Sequence, residues 1–191
     1  MQKWNDIRCK AANMLSMVTG LRAGELLGLR VCDIGEDCLY IRHSWNPVDK
    51  LKTTKTNEER IVELPFPSVI QSLHYIASLN PHSMTNESFV FWSLRIPDKP
   101  MEKITFVHGL RKALINYGIS ETEAKGYSFH GWRHFYTTYM RPKIEIKLLQ
   151  SQTGHKTLPM IDRYSDHNIP GDREKIREAQ IEVFSAILPT G

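Results

Sequence analysis

A chain of 191 residues, 41% hydrophobic and 24% charged, has the composition of an ordinary globular protein and the length to bury one core without staples. Its three cysteines, Cys9, Cys32 and Cys38, form no CxxC pair, which argues against a disulfide framework or a thiolate metal site. The 25 Lys+Arg against 21 Asp+Glu leave a net charge of +4, compatible with a polyanionic partner but too small to demand one, and no apolar run is long enough to span a bilayer.

Between Trp4 and Val18 the apolar residues Ile7, Ala11, Met14, Leu15 and Val18 recur at helical spacing. Thr19-Gly20 interrupts that helix, and "LRAGELLGL" resumes as a short one. "VCDIGEDCLYIRHSW" predicts a turn about Gly35 and a strand over Leu39 to Ser44. "KLKTTKTNEERIVELP" predicts two strands flanking a polar tip near Thr56 to Glu59. The second of these alternates as a half-buried edge strand, and Pro65 ends it. Pro67 to Leu79 reads as a helix with Pro67 in its first turn. "NPHSMTNES" is a loop, and "FVFW" a short buried strand or turn. Ile104 to Tyr117 is an amphipathic helix stopped at Gly118. "YSFHGWRHFYTTYMRP" predicts a helix from near His130 that ends before Pro142. "KIEIKLLQSQTG" is another, capped by Gly154, and "KTLPMIDRYSD" adds one or two turns. The last helix, Asp172 to Leu188, places Ile176, Ala179, Val183, Phe184 and Ile187 on one stripe. The fold class is therefore α+β: mostly helical, with a small antiparallel three-stranded sheet in the first third of a single domain.

A few polar residues stand out from this pattern. Arg22 lies at a turn in "TGLRAGEL", among small residues that let a ligand approach; read alone, it is a solvated arginine at a helix start. His130 and Arg133 are three apart on one helix face. His155 opens "HKTLPMIDRY", and Tyr164 closes it nine residues on. A phenol with a pKa of about 10 is a poor nucleophile at neutral pH, so Tyr164 needs neighbours that activate its target. Two arginines can hold the non-bridging oxygens of a phosphate and stabilise a pentacoordinate transition state. A lysine on a hairpin tip can protonate a leaving oxygen, and histidines can shuttle protons or donate hydrogen bonds. A tyrosine in line with that oxygen can then attack phosphorus and form a covalent link. Because these cations supply the charge, neither a metal nor another cofactor is expected. His130 and His134, four apart, have metal-pair spacing, but the Glu of an HExxH site is missing. Lys50, Lys52 and Lys55 also fit a solvated hairpin face, and Trp132, Phe135 and Tyr136 fit the core.

Taken in order, "TGLRAGELLGL", "HGWRH" and "TGHKTLPMIDRY", with a basic hairpin between the first two, resemble the signature segments of the tyrosine recombinase (phage integrase) family. The resemblance runs from about Thr19 to His167. It implies the catalytic-domain fold of DNA breaking-rejoining enzymes. It also implies a site-specific recombinase or integrase that works through a 3′-phosphotyrosyl intermediate, for integration or excision of a phage or mobile element. On it, Arg22 and Arg133 match the phosphate-binding arginines, His130 the first histidine of the HxxR box, and His155 the later His/Trp position. Tyr164 matches the nucleophile. The catalytic lysine of the hairpin is assigned to Lys55, from "KTxxxR" before the strand ending at Pro65, with Lys52 as runner-up. Glu25 and His134 are expected to support the catalytic residues, and Lys52 and Arg60 to contact DNA. The implied partner is double-stranded DNA, on which a homotetramer assembles, the isolated domain being a monomer. No membrane is implied. With no signal-peptide core in "MQKWNDIRCK", the expected location is the cytoplasm of a bacterium, for a bacterial or phage-encoded protein.

Some features depart from the family. "SQTGH" stands where many members have "LLGH", and Gly131-Trp132 replaces a small-polar/Leu pair. The chain begins just upstream of the first arginine, so the helical domain that normally precedes the catalytic one is expected to be absent, as in a domain cut from a longer protein rather than a truncated gene product. In this family a C-terminal helix commonly packs on a neighbouring protomer, so Asp172 to Leu188 is expected either in its own core or docked in trans. Two rival functions share much of the pattern: DNA relaxation like that of a type IB topoisomerase, and a non-catalytic DNA-binding helical domain. Chain length and "TGLRAGEL" favour the recombinase over the first. Retention of Arg22, His130, Arg133, His155 and Tyr164 together favours an enzyme over the second.

Overall fold

The computed structural model of the chain describes residues 3–53, 59–82, 84–154 and 171–188. Helix α1, Ile7–Thr19, is its axis. Asp6 caps it by accepting from the Arg8 amide, and Gly20, at φ +67°, ends it. A helix buried on nearly every side must satisfy its polar groups internally. Asn13 does so by donating to the carbonyls of Cys9 and Phe106, at 2.8 and 3.2 Å, and accepting from Trp132 Nε1 at 2.7 Å. The residue after α1 must be glycine for two reasons: its backbone is left-handed, and an added Cβ would stand 2.7 Å from the Tyr136 ring.

After the short α2, Ala23–Gly28, and a 3-10 turn at Val31–Asp33 come β1, Cys38–Ile41, and β2, His43–Asn46. Then follow β3, Lys50–Thr53, and β4, Arg60–Glu63. The single strand expected over Leu39 to Ser44 is thus two, broken at Arg42, whose guanidinium reaches the buried carboxylate of Asp33 at 3.0 Å. The expected three-stranded sheet is instead two antiparallel pairs among the described residues, β1 with β4 and β2 with β3. The β2–β3 turn lies at 47–49, where the Asn46 side chain accepts from the amides of Val48 and Asp49.

The remaining helices are α3, Pro67–Ser78, α4, Lys103–Asn116, and α5, Glu121–Lys125, then α6, Gly131–Met140, α7, Ile146–Thr153, and α8, Asp172–Phe184. No helix was expected over α5, a single short segment capped by Ser120, whose side chain accepts from the Glu123 amide. "FVFW" is a buried turn segment with isolated bridges at Phe89 and Trp92. Helices α3, α4 and α6 pack around α1, with Leu15, Val18, Leu73, Phe106 and Tyr136 fully buried between them. No helix among the described residues is long and apolar enough to cross a membrane.

Helix α8 packs on the body of its own chain. Ile176, Ala179 and Phe184 are buried, and the Phe184 ring stacks on Tyr136 at 6.0 Å. Gln180 Nε2 donates to the Glu63 carbonyl at 2.9 Å and to the Tyr136 hydroxyl at 3.3 Å. The Glu63 carboxylate, 1% exposed, takes Arg173 Nε at 2.5 Å and Arg177 Nε at 2.6 Å. Because the helix ends at Phe184, the stripe shifts phase: Ile187 is exposed and Leu188 buried.

Candidate active site

Arg22 sits at the N-cap of α2 in extended conformation. Glu25, one turn on, accepts from the Arg22 amide with Oε2 at 2.8 Å and from Arg22 Nη1 with Oε1 at 3.0 Å. That arrangement satisfies an orphan amide of the first helical turn and fixes the guanidinium in the same step. The far side of the guanidinium spans to the end of α7, with Nη2 donating to the Gly154 carbonyl at 2.8 Å and Nη1 to that of Thr153 at 3.4 Å. The arginine is still 42% exposed in its side chain, with a face open to solvent.

Arg133 enters from α6 and is 3% exposed. Its Nη1 donates to the Gly20 carbonyl at 3.0 Å, two residues before Arg22. Burial, and next the like charge of Arg22, lower its pKa to about 10. It therefore stays cationic at neutral pH, in surroundings that an anion would stabilise. His130 precedes α6 on the exposed side, and its ring meets that of His134 edge-on at 5.0 Å. Desolvation, then the charges of His134, Arg133, Arg22 and Lys103, hold His130 below the usual histidine range. It is consequently neutral at pH 7 and able to accept a proton. Among the described residues no group of three or more His, Cys, Asp or Glu could hold a metal ion.

Arg60, expected on a DNA-facing hairpin, has its side chain 15% exposed and its Nη2 2.9 Å from Glu25 Oε2, an ionic contact outside good hydrogen-bond alignment. Its Nε donates to the Gln152 carbonyl at 3.2 Å. Glu25 is consequently shared by two arginines. Burial pushes its carboxyl up, but Arg60 first and then Arg22 outweigh that and hold it below the usual carboxylate range. Lys52 lies on β3 at the surface, paired with Asp49 at 2.6 Å. Lys55, His155 and Tyr164 lie outside the described residues.

The residue that sequence reasoning missed is Gln152, 3% exposed. Its side-chain amide acts as a substitute peptide along the free edge of β4, Oε1 accepting from the Glu63 amide at 2.9 Å and Nε2 donating to the Ile61 carbonyl at 3.2 Å. This fixes the last turn of α7, and with it Gly154, at φ +64°, immediately before His155. The departure "SQTGH" was the only signal for it.

Residues 1–169 match the profile of the phage integrase family. Among solved structures, the integrase from mycobacterium phage Brujita is similar over 93% of this chain and 52% of its own, at 16% identity and a TM-score of 0.59. The Tn1549 transposon integrase, in complex with circular intermediate DNA, is similar over 77% and 51%, at 22% identity and 0.60. XerA recombinase is similar over 95% and 57%, at 20% identity and 0.57. At these identities the likeness is one of fold. The chain spans about half the length of these three solved structures. No curated protein matches it.

Proposed function

The chain belongs to the phage integrase family, and we propose that it is the catalytic part of a site-specific recombinase that cuts and rejoins double-stranded DNA through Tyr164, for integration or excision of a phage or other mobile element. The observation that carries this reading is the meeting of Arg22 and Arg133. Elements far apart in sequence bring Arg22 Nη2 to the carbonyl of Gly154, the residue before His155, and Arg133 Nη1 to the carbonyl of Gly20, two residues before Arg22, so that the like charge of Arg22 lowers the Arg133 pKa. Two cations, with the Glu25 carboxylate holding Arg22 in place, form a receptor for a tetrahedral or pentacoordinate phosphate.

In the proposed reaction the Tyr164 hydroxyl oxygen attacks the scissile phosphorus while the bond to the 5′-oxygen breaks. The phenolic proton passes to neutral His130 or to solvent, and the departing 5′-oxygen takes a proton from Lys55. Arg22 and Arg133 bind the non-bridging oxygens throughout, and His155 donates a hydrogen bond to one of them. The 3′-phosphotyrosyl ester keeps a phosphoester bond, so a 5′-hydroxyl from the same or another strand can reverse the step without an energy source. The arginines and Lys55 supply the positive charge that a divalent ion supplies in other phosphoryl transfers. Assembly as a tetramer on DNA is part of the same proposal.

Incubation with a nicked suicide duplex tests this reading. The expected product is a covalent protein–DNA adduct formed in the presence of a chelator and lost in Tyr164→Phe. An adduct that persists in Tyr164→Phe, or that needs a divalent ion, refutes it. Supplying a second duplex separates strand exchange from simple relaxation.

A further inference from the structure

Arg60 is placed unlike a DNA-backbone contact. Such a contact has to reach the surface, yet the Arg60 side chain is 15% exposed, against 42% for Arg22 and 56% for Lys52. Each end of its guanidinium group is engaged inside the protein, Nη2 at Glu25 and Nε at the Gln152 carbonyl. A Cβ on Gly154 would stand 3.2 Å from the guanidinium of Arg60 and 3.4 Å from Arg22 Nη1, so the two arginines flank the same glycine.

These contacts close a ring: Arg22 to Glu25, Glu25 to Arg60, Arg60 to the end of α7, and the end of α7 back to Arg22. Charge gives the ring a purpose. Glu25 paired with Arg22 alone would cancel most of the positive charge a phosphate needs there. With Arg60 on the same carboxylate, three cations (Arg22, Arg60 and Arg133) face one anion, and the group keeps a net charge of +2. Geometry adds to this. An arginine side chain loses much rotamer freedom when it is held, and a carboxylate anchored from both sides holds the Arg22 fork in one orientation before a ligand arrives.

We propose that Arg60 is a positioning residue for the phosphate site: it fixes Glu25, and through it Arg22, and ties strand β4 to the end of α7. This rests on the recombinase reading above. The charged groups facing Glu25 are Arg22 ahead of α2, Arg60 on β4 and Arg133 on α6.

The test compares the wild-type chain with Arg60→Met, Arg60→Lys, Glu25→Gln and the Glu25→Gln/Arg60→Met double variant. DNA affinity is measured across salt concentrations, and adduct formation on the suicide duplex is followed at saturating protein. In Arg60→Met the salt slope is expected to stay at the wild-type value and the affinity to fall less than about threefold, while the adduct rate constant falls about tenfold to a hundredfold. Arg60→Lys should fall between the two. In the Glu25→Gln background the Arg60→Met effect should shrink to about threefold or less, because the coupling partner is gone. Should Arg60→Met lose its cooperative thermal transition, Arg60→Lys carries the test, with slower cleavage at unchanged affinity expected. The assignment is overturned if either variant cleaves at the wild-type rate but binds more weakly, with a salt slope reduced by about one as for a lost phosphate contact. It is also overturned if the Glu25 and Arg60 effects are additive. A wild-type chain that forms no adduct refutes the recombinase reading itself, a separate outcome from wild-type activity that is indifferent to Arg60.

Discussion

Replacing Gln152 by leucine restores the residue type many members of the family carry there, and it should nonetheless destabilise this protein. The side chain satisfies the Glu63 amide in a fully buried hydrogen bond and the Ile61 carbonyl in a part-buried one. Orphaning the amide costs about 2 kcal/mol, and the carbonyl, closer to water, about 1 kcal/mol. Leucine returns about 1 kcal/mol of apolar burial, since the stem of Gln152 is already out of water. The net loss is about 2 kcal/mol, or about 4–8 °C in Tm for a domain of this size. Urea unfolding followed by circular dichroism measures it directly, with an unchanged m-value showing that the change lies in stability and not in the denatured state. Ser151→Ala, an exposed position whose hydroxyl only turns back onto its own helix, is the control and should stay within about 0.5 kcal/mol. A Gln152→Leu protein as stable as wild type would falsify the claim that this amide substitutes for a missing strand on β4.

Two further outcomes follow from the same region. Gly154→Ala puts a side chain at φ +64°, a strain of about 1–2 kcal/mol, and crowds Arg60 and Arg22 at 3.2 and 3.4 Å. Adduct formation should therefore fall more than about tenfold while DNA affinity moves less than about twofold, compared by suicide-substrate kinetics and anisotropy. The Glu25 carboxyl is held below its ordinary value in the folded state, against burial, by Arg60 and then Arg22. Its contribution to stability is consequently present above the unfolded pKa of about 4.3 and lost as pH falls through the lower folded value. Urea midpoints should drop on acidification through that window, and the drop should be shallower in Glu25→Gln; an identical pH profile in the variant would refute the assignment.

Much of the helical frame is legible in local pattern. The periodicity of Ile7 to Val18, the Gly20 and Gly154 stops, Pro67 at a helix start and the break before Pro142 depend on the chemistry of a few neighbouring residues, and the helices lie within a few positions of where those signals put them. The sheet was less legible. Pairing is a non-local choice, and Arg42 breaks a run of strand-forming residues because a buried carboxylate at Asp33 attracts it, a partner no strand pattern reveals.

Arginine, histidine and tyrosine at fixed spacings are local facts of the chain, and the family's ordered segments could be read from them. The surroundings of Glu25, Arg60 and Gln152 could not. A carboxylate shared by two arginines, and a side-chain amide completing a strand edge, exist only once α2, β4 and α7 meet. Burial decided the rest. Whether an arginine on a hairpin faces solvent or a buried acid depends on what packs above it, and composition carries no record of that.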